Sequence, residues 1–413
     1  MTDRGSLRSA APILIGVSVM LSLAMGLRQS LGLFVQPAVK DLSIAVADFT
    51  LAVAVQNLAW GFLQPLAGAL AVRWGFRPIM TVGAALYACG LALFAVAGNY
   101  TTVMAGAGVL IGVALACVGS GMALSVASRP VSPALRSTVL GMVSAAGSVG
   151  AAIAAPIGQA LSGTYGWRGG VLGFVVLALV MIPAAWIGGR VDRVALPPAA
   201  KGSGDQASGR EALKRAFTFP PFLVMTAAYF VCGLQLVFIT THLPSYLALC
   251  GQDPMLSAKA LATIGGFNVL GSLFFGWAGG RWSKGVLLGL LYILRSLTLA
   301  WYFAAAPTPE STLFFAAVMG FLWLGVAPLI SGSVAEMFGL KWQAMIGGVA
   351  FMSHQFGSAL GAFGGGYLYD LMGSYTLAVQ LGVGMGLAGG LAQIVAALPK
   401  WPGGGLREVR SPG

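Results

Sequence analysis

Apolar stretches of twenty or more residues recur along the whole chain, at about 11–38, 46–72, 77–98, 102–127, 137–161, 169–190, 220–248, 256–280, 285–306, 311–335, 342–370 and 375–398. Within each stretch the apolar positions run on continuously instead of alternating, so the pattern predicts helices and excludes the two-residue repeat of a membrane β-barrel. At about 1.5 Å per residue, each stretch is long enough to cross a hydrocarbon core of roughly 30 Å. The pattern predicts an all-α membrane protein with twelve transmembrane helices. The first stretch is too long for the apolar part of a secretory signal and no small-residue cleavage site follows it, so it is expected to remain as a helix.

One interval breaks the rhythm. GGRVDRVALPPAAKGSGDQASGREALKRAFTFP, ending at Pro220, is rich in Gly, Pro, Ser and charge and has no apolar periodicity, so it reads as a linker. It divides the chain into an N-terminal six-helix bundle at about 1–190, a linker at about 191–219, a C-terminal six-helix bundle at about 220–399 and a tail at about 400–413. The two halves match at an offset of about 207 residues. Gly26, Leu27 and Pro37 fall on Gly233, Leu234 and Pro244; Gly68, Arg73 and Trp74 nearly coincide with Gly276, Arg281 and Trp282. Ser125-Val126-Ala127 falls on Ser333-Val334-Ala335, and Gly158, Leu161 and Gly166 on Gly365, Leu368 and Gly373. A duplicated six-helix unit follows, an arrangement that secondary transporters use to bind substrate near the midplane between halves.

Composition agrees with the pattern: of 413 residues 58% are apolar and 8% charged, against about 25% charged in soluble proteins. The formal charge of +12 does not mark a nucleic-acid footprint, because of how it is distributed. Eighteen of the 23 basic residues, from Arg4 and Arg8 to Arg407 and Arg410, fall on the side that holds both termini. Lys40, Arg168 and Lys259 fall on the other, and Arg28 and Arg295 lie inside the membrane. By the positive-inside rule both termini are expected in the cytoplasm, with the bacterial inner membrane as the setting. The four cysteines Cys89, Cys117, Cys232 and Cys250 lack ligand spacing, so neither a disulfide framework nor a metal site is expected. No phosphate-binding loop, dinucleotide fingerprint or nucleophile elbow is present, and the chain reads as a non-enzyme with no cofactor.

GALAVRWGFR (68–77) and GWAGGRWSK (276–284) resemble the signature loop of the major facilitator superfamily, with Val72 and Gly280 at its acidic position. The resemblance implies the major facilitator fold of two pseudo-symmetric six-helix bundles. It also implies a latch in which Gly68 permits close helix approach and Arg73, Arg77 and Arg281 cap carbonyls of the neighbouring bundle; the alternative is that these arginines only set topology. RSTVLGMVSAAGSVG (136–150), YGWRGG (165–170) and GSYTLA (373–378) resemble the monocarboxylate-porter branch. That branch holds its substrate carboxylate with an Asp or Asn and an arginine four residues on. Asn268 matches the first position and Ser272 stands at the second, while Gln29 aligns with a lysine of some members.

The intramembrane polar residues, read alone, point to an anion. None of the eleven acidic residues lies in the middle of an apolar segment, whereas a cation carrier or an Asp/Glu proton relay needs a buried carboxylate. Arg28 has no acidic residue in its segment and cannot be deprotonated, so it needs water, carbonyls, an anionic ligand, or an interface to which it can snorkel. It is expected in the outer half of the membrane. Ser18, Ser22, Met25, Gln29, Gly32 and Gln36 form a small, polar stripe on the same helix, suited to a wet cavity or to a packing seam. Arg295 is read as structural. His354 has a side chain that ordinarily titrates near physiological pH and is a candidate proton site. His242 is either a gate or an interfacial residue.

Arg28, Gln29, Asn57, Trp60, Gln235, Asn268, Trp323, His354 and Gln355 are therefore the candidate substrate contacts, with Gln56 and Gln64 as further cavity candidates. The expected activity is secondary active transport of a small organic anion, a carboxylate, by alternating access with proton symport or exchange. Its partners would be that anion, protons and the lipid bilayer, for a monomeric carrier. The competing reading is an efflux carrier for amphipathic drugs, which needs no fixed counter-charge.

Overall fold

The computed structural model describes residues 3–196 and 208–398. Lys201 and the whole predicted tail, with Lys400, Arg407 and Arg410, lie outside the described residues.

Among those residues the chain is helical throughout, with no β-strand. Nine helical stretches are by themselves long and apolar enough to cross a membrane. The longest, Pro133–Arg193, is two helices joined at Gly166, whose φ of 73° is a left-handed turn geometry that suits glycine. Two more, Val46–Trp74 and Gln343–Met372, have the length, but glutamine, asparagine and histidine dilute their apolar runs. Twelve membrane helices result: α1 (Leu7–Leu42), α2 (Val46–Trp74), α3 (Phe76–Ala95), α4 (Tyr100–Ala127), α5 (133–165), α6 (167–188), α7 (Pro220–Leu249), α8 (Pro254–Ala278), α9 (Lys284–Phe303), α10 (Pro309–Phe338), α11 (Gln343–Met372) and α12 (Thr376–Ala397). Helix α1 is longer than its apolar run suggested, because a 3-10 turn at Leu31–Phe34 carries it into Val35–Leu42. The linker, read as aperiodic, contains a helix at Gly209–Thr218, capped by Ser208 and burying Ala212 and Ala216.

The six helices of each half enclose a separate apolar core. Glycine sets the closest contacts inside each. A Cβ on Gly26 would lie 2.7 Å from the Gly150 carbonyl carbon, so α1 and α5 pack backbone to backbone. In the second half Gly233 meets His354 and Ser358, and Gly357 meets Phe230, giving the same crossing of α7 and α11. Both halves also interrupt their fourth helix, at Gly119 in α4 and at Leu324–Gly325 in α10. The internal repeat is thus structural as well as sequential.

The bundles meet along α2 with α11 and α5 with α8. Near the end that carries the described termini and the linker, here the linker end, the approach is tight. A Cβ on Gly68 would sit 2.7 Å from the Ala344 carbonyl oxygen, one on Gly348 2.6 Å from the Pro65 nitrogen, and one on Gly141 2.7 Å from the Gly276 Cα. Hydrogen bonds reinforce the seam: Ser128 donates to Gln343, and Arg129 donates to the carbonyls of Leu340 (3.3 Å) and Lys341 (3.5 Å). Toward the opposite end Gly32, Gly265 and Gly266 face open space. The stripe on α1 accordingly changes character: Ser22 is pressed against Gly150, while Gln29, Gly32 and Gln36 are exposed.

Candidate functional site

Where the tight seam ends, four helices bring polar and aromatic side chains together. Arg28 is near the middle of the extended α1, and its side chain reaches across to α2 instead of toward an interface. Its Nη2 donates to Asn57 Oδ1, an orientation fixed because the Asn57 amide nitrogen donates to the Val53 carbonyl at 3.0 Å. The guanidinium carbon lies 5.1 Å from the Trp60 ring centroid, a cation–π contact worth about 0.5–2 kcal/mol depending on desolvation. Trp60 is held in turn: its indole N–H donates to Gln64 at 3.0 Å, and the helix break at Gly119 leaves room for its ring.

No carboxylate pairs with Arg28, and its Nε is buried without a partner among the described residues. A guanidinium carries five N–H donors, so one amide and one ring leave much of its capacity unused. The snorkelling alternative does not describe this side chain.

The second bundle closes the site through α11. Gln355 donates from Nε2 to the Asn57 carbonyl at 2.9 Å, so one residue accepts both from Arg28 and from the opposite bundle. Phe351 packs on Trp60 with centroids 4.7 Å apart. His354 lies between Phe351 (5.6 Å) and Tyr229 of α7 (4.6 Å), with Nδ1 3.3 Å from Gln355 Oε1 and 3.4 Å from Ser358 Oγ. A polar chain Arg28–Asn57–Gln355–His354 therefore runs from one bundle to the other. Tyr229 and Phe351 were missed from sequence because an aromatic residue in an apolar run has no signal of its own; the i, i+3 spacing of Phe351 to His354 was the only hint.

The other candidates lie elsewhere. Gln235, at 1% exposure, donates to Ser296 Oγ (3.0 Å) and the Gly382 carbonyl (2.9 Å), which places its amide inside the second bundle between α7, α9 and α12. Asn268 accepts from the Leu324 N–H at 3.3 Å and so satisfies a backbone donor freed by the break in α10, beside Trp323. Gln56 donates to the Ala107 carbonyl at 2.6 Å within the first bundle. Gln29 is exposed on α1, next to Arg28 in the chain. Ser272 is fully buried, its carbonyl 2.6 Å from where a Gly141 Cβ would stand and its hydroxyl 3.4 Å from that of Ser144. An arginine at this position would have no space in the seam.

Arg295 is fully buried in the second bundle and donates to Cys232 Sγ (3.1 Å) and the Cys232 carbonyl (3.4 Å). His242 bonds the Ala362 carbonyl (2.9 Å) and packs beside Phe238 and Tyr375. No group of three His, Cys, Asp or Glu side chains converges among the described residues.

Of the signature-loop residues, Gly68 makes the close approach across the seam. Arg73, Arg77 and Arg281 lie over Trp74, Trp186 and Trp277 of their own bundles, and Arg129 reaches carbonyls of the other bundle. A carboxylate does reach the loop after α2, from another place. Asp192 accepts from the Phe76 N–H (2.8 Å) and the Arg77 N–H (2.9 Å), capping α3.

Comparison with known proteins agrees with this architecture. The rat protein named monocarboxylate transporter 13 is 26% identical over 376 residues, spanning 89% of this chain and 84% of its own. The Escherichia coli sialic acid transporter NanX is 26% identical over 342 residues, spanning 79% and 77%. The solved structure of the Escherichia coli fucose:proton symporter FucP, 16% identical, superposes with a TM-score of 0.73 over 94% of this chain and 99% of that one. The profile of the Major Facilitator Superfamily matches residues 16–362, and the chain belongs to that family of multi-pass membrane transporters.

Proposed function

We propose that this transporter carries a small organic anion bearing a carboxylate, and that Arg28 holds the carboxylate. The observation that carries this reading is the Arg28 guanidinium, placed near the middle of α1 where the two bundles meet, with no acidic partner and with Nε unpaired among the described residues. An uncompensated charge in that position is costly unless a ligand supplies the counter-charge. Asn57 and Gln29 offer hydrogen bonds beside it, and Trp60, Phe351 and Tyr229 offer apolar walls. Monocarboxylates and sialic acid, the substrates in two relatives' names, are acids.

The same chain of contacts supports a reading by alternating access. The tight linker end and the open opposite end correspond to one of the two states, with the site reached from the open side. A carboxylate competing with Asn57 Oδ1 for Arg28 releases the side chain of the same residue whose backbone carbonyl accepts the Gln355 bond from the other bundle. The ligand contact and the contact between bundles thus meet at one residue, Asn57. His354, bonded to Gln355, is the proton site in this scheme.

Proteoliposome uptake tests the assignment. Arg28→Gln is expected to lower carboxylate uptake roughly 10- to 100-fold, the loss of a charge-assisted hydrogen bond, with normal expression and insertion. Full uptake by the variant overturns the assignment and favours an amphipath carrier, for which a thermal-shift screen of mono- and dicarboxylates, aromatic acids and amphipathic drugs provides the contrast.

A further inference from the structure

On the membrane-facing surface of the first bundle, remote from the substrate site, α1 and α6 enclose a groove of about 560 Å³. The two helices cross at Gly16, where an added Cβ would sit 2.7 Å from both the Ala184 carbonyl oxygen and the Gly188 nitrogen. That contact floors the groove and separates it from the interior. Pro12 and Pro183 stand on its two walls, and Ile15, Val19 and Val180 line it while remaining exposed.

At its linker end the groove is flanked by Arg8 of α1 and by Arg190 in the 3-10 turn Gly189–Arg193 that follows α6. No hydrogen bond or ion pair among the described residues engages either guanidinium, and no acidic residue lines the groove. From Arg8 to Val19, and from Arg190 back to Val180, the walls run for ten or eleven residues, about 15 Å at 1.5 Å per residue. This equals roughly half of a 30 Å hydrocarbon core, the depth of one leaflet. The groove is thus an apolar slot one acyl chain deep, with two unpaired cations at headgroup level.

We propose that this groove is a binding site for an anionic phospholipid, its phosphate held between Arg8 and Arg190 and one acyl chain lying between α1 and α6. Two cations at the membrane surface select the anionic headgroup over a zwitterionic one; each basic residue contributes about fivefold, so the pair contributes roughly 30-fold. Because a lipid seated there bridges the first and last helices of one bundle, it stabilises that bundle without touching the substrate site.

The test uses the purified full-length protein in detergent, titrated with phosphatidylglycerol, phosphatidylcholine or inorganic phosphate. Native mass spectrometry counts bound lipid and Tm is read in parallel. Phosphatidylglycerol is expected to bind one molecule tightly and to raise Tm, and the Arg8→Gln/Arg190→Gln variant to lose roughly 30-fold in affinity. Val19→Trp, which fills the slot and leaves both arginines in place, is expected to lose binding as well. Arg210→Gln/Lys214→Gln, on the linker helix at the same end, is expected to keep it. Equal loss in the linker variant, equal binding of phosphatidylcholine, or an equal Tm rise with inorganic phosphate alone overturns the proposal.

Discussion

Arg28 was conspicuous in the sequence because a permanent charge among apolar residues cannot be neutralised by losing its proton. Its partners were not, since Asn57 and Trp60 come from another helix and only packing decides which faces meet. Lysine at this position keeps the charge and loses the planar fork that matches a carboxylate. Arg28→Lys is therefore expected to bind substrate about tenfold more weakly than the native protein while outperforming Arg28→Gln in uptake. His354 calls for a different measurement. If it carries the coupled proton, His354→Gln loses uptake driven by a pH gradient and keeps exchange of labelled for unlabelled substrate; equal loss of both modes assigns it to packing between Tyr229 and Phe351. Ser272 shows the limit of alignment. It occupies the position of a binding arginine in the resembled branch, yet lies in a seam too tight for any long side chain.

At the scale of elements, the twelve apolar runs placed nearly every helix, because a bilayer demands both length and continuous apolarity. What the runs did not reveal are the interruptions. Gly119 and Leu324–Gly325 break α4 and α10 beside polar or aromatic partners, Trp60 in one case and Asn268 in the other. The start of α3 depends on Asp192, a residue in an unremarkable run of charge after α6 that accepts two of the first free N–H groups. Such a cap is worth about 1 kcal/mol, and its carboxylate also faces the positive end of the helix. Asp192→Ala is expected to lower Tm by a few degrees, whereas Val72→Ile, at the signature's acidic position, keeps the apolar contact with the second bundle and leaves it nearly unchanged. Equal effects would place the stabilising interaction elsewhere in the loop.

The whole molecule is two six-helix halves that meet along two seams, and the proposed transport cycle requires those seams to open and close. Ser144 and Ser272 face each other across α5 and α8 with hydroxyls 3.4 Å apart. The pair Ser144→Cys/Ser272→Cys is expected to cross-link under mild oxidant, to stop transport, and to recover on reduction. Transport that persists in the cross-linked protein would show that this seam does not need to open.

The sequence by itself determined what depends on local composition and on the solvent: a helical membrane protein, twelve apolar spans, an internal repeat, and the two arginines, Arg28 and Arg295, that lie within those spans. These follow from the absence of water in the bilayer, which forces each segment to satisfy its own backbone. Only the tertiary structure decided which of the polar residues share a site. Arg28, Asn57, Trp60, His354 and Gln355 are brought together, while Gln235 and Asn268 are consumed inside the second bundle. The physical reason is rotation: neighbouring residues on a helix face directions about 100° apart, and the packing of glycine against backbone at Gly26, Gly68 and Gly141 settles which of those faces turns toward the space between the bundles.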